Sequence, residues 1–182
     1  MEPFPLLELR QYTVRRGARE EFIELFESEL VDPQQALGIQ VLGQFRDLND
    51  PDRFVWLRAF PGLTERARAL GAFYVDSAAW KTHGGAATSL LADFTDVRLL
   101  RVATPGLAPS GRPGARLRAR IRDADAPDHE TAMAMATYET ETGPNDFPMP
   151  VRSTPVTVDF AWTDDADEDP GRLAPTERSW LR

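Results

Sequence analysis

The chain opens on an alternation. Over residues 6–14, LLELRQYTV, apolar and polar side chains trade places as they do along a strand. After Gly17, Glu20 and Glu21 head a stretch in which Phe22, Leu25, Phe26 and Leu30 recur at helical spacing. Pro33 is expected to stop that helix. Residues 38–48 and 53–60 read as two strands, and Asn49-Asp50-Pro51-Asp52 between them either fix φ or bond their own backbone, so the pair forms a hairpin. Thr64 can cap a helix reaching about Tyr74, Asp76 or Ser77 can restart it, and residues 94–102 alternate into a fourth strand. The order βαββαβ predicts an α+β, ferredoxin-like unit, an antiparallel sheet with both helices on one face.

Residues 104–114, rich in proline and small turn residues, read as a linker. Beyond it the chain resembles a damaged copy of its first half. Aligning Gln44-Phe45 with Thr137-Tyr138 also places Pro51 on Pro144, Asp52 on Asn145 and Phe54 on Phe147. The first strand repeats as well, Leu9-Arg10 on Leu117-Arg118, at an offset longer by about one short helix. The copy therefore lacks its first helix, and the residues between Thr163 and Arg172 leave no room for its second. Three strands are expected, at 115–122, 133–142 and 154–162. The organisation reads as a complete module at 1–103, a linker at 104–114 and a degenerate module at 115–182 packed on the first. A sheet stripped of helices leaves an apolar face in water, so either the other sheet or a second copy in a two-fold dimer must cover it.

Alternation splits the strands of the first half into two sets. Leu7, Leu9, Ile39, Val41, Phe45, Val55, Leu57, Val97 and Leu99 are apolar and are expected under the helices. Glu8, Arg10, Tyr12, Gln44, Arg46, Trp56, Arg58 and Arg98 interleave charge with aromatic rings, which suits a half-wet cavity or a sheet-to-sheet interface better than dry core or open solvent. An interface in which Glu8 simply pairs with an arginine is the alternative. His83 shares a helix face with Trp80 and Ala87, and it is followed by Gly84 and Gly85, which mark a kink, a stop or a close approach. Arg116, Arg118, Arg120 and Arg122 alternate along one strand, and Glu139 and Glu141 on the next are expected to oppose them as an ion ladder. The acidic run at 164–169 reads as a solvated loop, and His129 carries no assignment.

Composition narrows the chemistry. The 182 residues contain no cysteine and two histidines, which excludes disulfides and thiolate sites and leaves little for zinc. A net charge of −8 argues against nucleic acid. No signal peptide or membrane span is readable, so the expected location is cytoplasmic. Twenty arginines beside the single Lys81 reflect a GC-rich genome. Walker, dinucleotide-binding, nucleophile-elbow and zinc-hydrolase motifs are absent from the sequence.

The motifs ELRQYTV at 8–14, GQFR at 43–46, DPDRFVWLR at 50–58 with Phe60, AFY at 72–74 and WKTH at 80–83 resemble the NIPSNAP family. The closing RLAPTERS at 172–179 resembles bacterial members with two tandem modules. The resemblance implies a dimeric α+β barrel of face-to-face ferredoxin-like sheets. Where the family tends to be polar after the histidine, this chain has Gly84-Gly85-Ala86-Ala87-Thr88, and that loss of bulk together with the missing helices should enlarge a cavity to at least about 300 Å³. Similar barrels include cofactor-free oxygenases, polyketide cyclases and haem enzymes. The expected function is an enzyme of secondary metabolism acting on a hydrophobic, aromatic or polycyclic substrate, as a homodimer and without a tightly bound cofactor. His83 would move the proton, Tyr12 and Arg46 would hold an enolate or phenolate, and Trp56, Trp80, Tyr74, Arg58, Gln44 and Glu8 would complete the site. A non-catalytic binding protein is the alternative, and a haem enzyme with His83 as axial ligand comes third.

Overall fold

The computed structural model describes residues 4–125, 134–164 and 171–182. His129, the start of the strand expected at 133 and most of the acidic run at 164–169 lie outside the described residues. The first half runs β1 (Leu6–Val14), α1 (Arg19–Leu25), a π-helical turn (Phe26–Leu30), α2 (Val31–Ala36), β2 (Gln40–Asp47), β3 (Arg53–Phe60), α3 (Leu63–Gly71), a second π-helical turn (Ala72–Asp76), α4 (Ala78–Ser89) and β4 (Leu91–Thr104). The second half contributes β5 (Arg116–Asp123), β6 (Ala136–Thr140), β7 (Val156–Thr163) and β8 (Arg172–Pro175). Pro33 does not end the first helical stretch. It sits in the first turn of α2, where a proline's missing N–H has no helical partner to lose. Leu63 starts α3 behind Gly62 rather than behind a Thr64 cap, whereas Ser77 caps α4, its hydroxyl accepting the Trp80 N–H at 3.1 Å.

All eight strands close into one barrel in the order β1-β3-β2-β8-β5-β7-β6-β4. Four consecutive neighbours, β4-β1-β3-β2, come from the first half, and β8-β5-β7-β6 repeat that permutation with the second. A fourth strand, β8, was not anticipated. Its four residues are too short to show an alternation, yet Phe45 faces Pro175 and Asp47 faces Leu173 across the seam it forms with β2. The other seam joins β4 to β6, with Leu100 opposite Thr140.

The two faces of the first sheet are inverted relative to expectation. Leu7, Leu9, Phe45, Val55, Leu57 and Leu100 point into the barrel, where they pack against Leu117, Tyr138, Val158, Phe160 and Leu173 of the other half. The charged and aromatic set, Glu8, Arg10, Tyr12, Trp56 and Arg58, lies beneath the helices with Leu6, Ile39, Val41, Phe54 and Phe60. Ile39, Val41 and Leu99 do lie under the helices as expected; a register shift between Val41 and Gly43 puts Ile39 and Val41 on the opposite face from Phe45. Arg98 stays with the barrel side, opposite Leu9. A closed barrel is filled by interdigitating side chains, so the charged set other than Arg98 goes to the layer that stands off the sheet. The chain's own second sheet thus covers the apolar face that loss of the helices would expose.

The arginine strand also differs from expectation. β5 neighbours β7 and β8, not β6, so Glu139 and Glu141 are two strands away. Asp159 of β7 faces Arg120 and accepts from Arg122 at 2.9 Å, while Glu139 pairs with Arg101 at 2.5 Å.

Candidate active site

A cavity of about 310 Å³ lies between the first sheet and its helices. It was expected both beside the small residues that follow His83 and where the second module lost its helices; it lies in the complete half, where Ala87 and Thr88 line it. Tyr12 and Trp56 form its floor from adjacent strands. Phe22, Phe26, Leu30 and Gln34 wall one side, from the helical stretch interrupted by the first π-turn. Phe73, Tyr74 and Trp80 wall the other, from the second π-turn and α4. π-Turns widen a helix by one residue and re-aim side chains, and both of these supply cavity walls. Phe94 and Leu91 of β4 and the half-buried Phe147 and Met149 of the β6–β7 connection close the remainder. The rings interlock edge to face, with 4.8 Å between the Phe26 and Trp56 centroids and 4.7 Å between Tyr74 and Trp80. Gly84 makes room for one of them. A Cβ there would lie 2.6 Å from the Trp80 indole, so the ring folds down on the helix only because the side chain is absent.

Behind the floor sits a fully buried ion cluster. Glu8 accepts from Arg10 Nη1 at 2.7 Å, Arg58 Nε at 2.7 Å and Arg66 Nε at 2.6 Å, and all four side chains are excluded from solvent. Burial alone would push the Glu8 carboxyl up, but the guanidiniums of Arg58, Arg10 and Arg66 outweigh it and hold the group far below the usual carboxylate range. Three guanidiniums against one carboxylate leave two positive charges uncompensated. Each arginine also retains a buried Nη2 without a hydrogen-bond partner.

The cluster reaches the cavity through neutral side chains. Arg10 Nε donates to the Tyr12 hydroxyl at 2.8 Å. Arg58 Nη1 donates to the Tyr74 hydroxyl at 3.2 Å and to Gln34 Oε1 at 3.1 Å. The guanidinium carbons of Arg10 and Arg58 stand 5.3 and 5.0 Å from the Trp56 ring, so the cavity's aromatic floor is cationic from behind. Burial raises the Tyr12 pKa, which keeps its phenol protonated at neutral pH. Asn145 of the β6–β7 connection accepts from Arg66 at 2.9 Å, so the degenerate half both roofs the cavity and ties into the cluster.

Of the residues expected from the sequence, Tyr12, Trp56, Tyr74 and Trp80 line the cavity, and Glu8 and Arg58 stand directly behind it. His83 does not line it. Its Nε2 lies 3.3 Å from Glu29 between two helices, with a third of the side chain exposed, outside the cavity that Tyr12 and Trp56 floor. The same position keeps the His83 imidazole out of the cavity, where a haem ligand would have to stand. Arg46 also lies outside, pairing with Glu20 at 2.6 Å. Gln44 is buried beside Trp56 in the sheet, and neither of its side-chain polar atoms has a partner. Arg66, Gln34 and Phe147 were missed. Arg66 shares a helical face with Ala69, Leu70 and Phe73, a placement that could have revealed it, and Phe147 was already aligned with Phe54 in the repeat. Among the described residues no group of acidic or histidine side chains could hold a metal ion, and no helix is long and apolar enough to cross a membrane.

No family model matches the chain, and no curated protein is similar to it. Several solved NIPSNAP family structures match it. A NIPSNAP family protein from Agrobacterium tumefaciens strain C58 is 20% identical over 59% of this chain and 96% of its own, with a TM-score of 0.48. A second from the same organism, of unknown function, is 21% identical over 56% and 90%, with a TM-score of 0.49. A protein from Lactobacillus acidophilus NCFM, provisionally assigned as a monooxygenase, covers 88% of this chain and 77% of its own at 11% identity and a TM-score of 0.53, a likeness of fold.

Proposed function

We propose that the protein is an enzyme of secondary metabolism that holds a hydrophobic, aromatic substrate in the cavity and stabilises an enolate or phenolate oxygen on it through Tyr12 and Tyr74. The observation that carries this reading is the pairing of an aromatic cavity with two phenols, each accepting from a buried guanidinium and so polarised to donate its own proton. Fixed donors in a dry site stabilise developing negative charge more than water does. The anion so held reacts with dioxygen or closes a ring, and because its own electrons form the new bond, no tightly bound cofactor is needed. Oxygenation is also the chemistry in the name of the Lactobacillus protein; fold likeness alone does not transfer it.

Native mass spectrometry of the protein as purified identifies a retained ligand, and turnover of that ligand tests the reading. Tyr12→Phe should lower turnover by about 10²-fold, the usual effect of deleting one oxyanion donor, with the fold intact by circular dichroism. Unchanged turnover would remove Tyr12 from the chemistry. A second reading, a non-catalytic binding protein, is favoured by the side chains lining the cavity, which among the described residues include no carboxylate, imidazole or amine to act as a base. Saturable binding with no product by mass spectrometry would select it.

A further inference from the structure

The polar inventory of the cavity is one-sided. The Tyr12 and Tyr74 oxygens already accept from arginine, and neither hydroxyl donates to any acceptor among the described residues. Trp56, on the floor, presents its ring; its Nε1–H is shut away from the open space and has no partner among the described residues. Gln34 is tied on both sides, its amide nitrogen donating to the Leu30 carbonyl at 2.9 Å and its oxygen accepting from Arg58. Thr88 donates back to the Gly84 carbonyl at 2.7 Å. Two phenolic O–H groups therefore await an acceptor, and among the described residues no lining side chain is a base that could take a proton. Behind them lies the uncompensated charge of Arg10, Arg58 and Arg66, which a neutral ligand would leave buried and unpaired.

Resting on the reading above, we infer that the cavity holds its ligand as an oxyanion, an aromatic phenol or enol whose acidic O–H is ionised on binding. The O–H bond breaks with both electrons left on oxygen, the proton passes to bulk water, and the anionic oxygen accepts from the Tyr12 and Tyr74 hydroxyls. No protein base takes part. The missing base is then a property of the substrate class, because the ligand's own acidity, increased by the site, does what His83 does not. Neutral aromatics of the same shape fill the walls but leave the donors and the guanidinium charge unanswered.

The full-length protein is titrated with 4-nitrophenol, whose anion has its own visible absorption band, and with 4-nitrotoluene, a neutral molecule of nearly the same shape. Binding is read from quenching of tryptophan fluorescence, and the ionisation of bound nitrophenol from its absorbance across pH. The expected result is a pKa of bound nitrophenol lowered by about one unit, a tenfold preference for the anion, and weaker binding of nitrotoluene. Tyr12→Phe and Tyr74→Phe should each remove much of that drop while leaving nitrotoluene binding in place. Binding of both probes with the nitrophenol pKa unchanged or raised overturns the inference and leaves the aromatic cavity standing. Saturable binding of neither overturns the cavity reading and the inference together. A drop undiminished in both variants overturns the assignment of the donors.

Discussion

Glu8 is one carboxylate among three guanidiniums, all four side chains closed off from solvent. Removing one partner from a buried ionic group leaves uncompensated charge at a cost of about 3–5 kcal/mol, so Glu8→Gln should lower the urea midpoint by that much stability. The same carboxyl sets an acid limit. Its pKa in the folded chain lies below the ordinary 4.5, so folding favours the ionised form. Its contribution is complete above the ordinary value and shrinks as pH falls from there toward the depressed one. Stability of the parent protein should therefore decline with acid below about pH 4.5, and the Glu8→Gln protein should show a shallower decline over that range. An identical slope in both would mean that Glu8 is not held as an anion. Tyr12 titrates in the opposite sense: burial raises its pKa, so its donor role persists across neutral pH.

At the level of elements, α4 shapes the cavity by what it lacks. Gly84→Ala puts a methyl 2.6 Å from the Trp80 indole. Either the ring swings into the cavity or α4 lifts, and overpacking of this kind costs about 1–3 kcal/mol. The expected outcome is weaker binding of aromatic probes and a shifted Trp80 emission; unaltered binding would show that the ring does not limit the space. The order of the first four strands and their helices was legible because each carried a long periodic signal bounded by turn residues, and the Ser77 cap was legible for the same local reason. Which sheet face met the helices was not. Alternation sorts Leu7 and Leu9 from Glu8 and Arg10 but says nothing of which set faces a dry barrel, and both sets held enough large apolar side chains to pass for core. His83 misled because its neighbours Trp80 and Ala87 do line the cavity, yet the imidazole leaves that stripe to meet Glu29 on a different helical stretch. β8 was too short for any period to register.

Across the whole molecule, the two halves share one interior, and neither encloses it alone. Unfolding should accordingly be a single cooperative transition, with fluorescence and circular dichroism midpoints coinciding. Deleting residues 172–182 removes β8 and the Leu181 N–H bond to the Leu42 carbonyl, and it opens the seam between β2 and β5. That truncation should abolish the cooperative transition; retention of it would mean that closure contributes little. The degenerate half also serves the site, since its β6–β7 connection supplies Phe147 and Met149 to the roof and Asn145 to Arg66. The most direct test of the account is a crystal structure grown with 4-nitrophenol. It should show the ring between Trp56, Trp80 and Phe147, with the phenolic oxygen within hydrogen-bond distance of the Tyr12 and Tyr74 hydroxyls. A ring bound elsewhere, or a cavity already closed by Trp80 with no ligand in it, would contradict it.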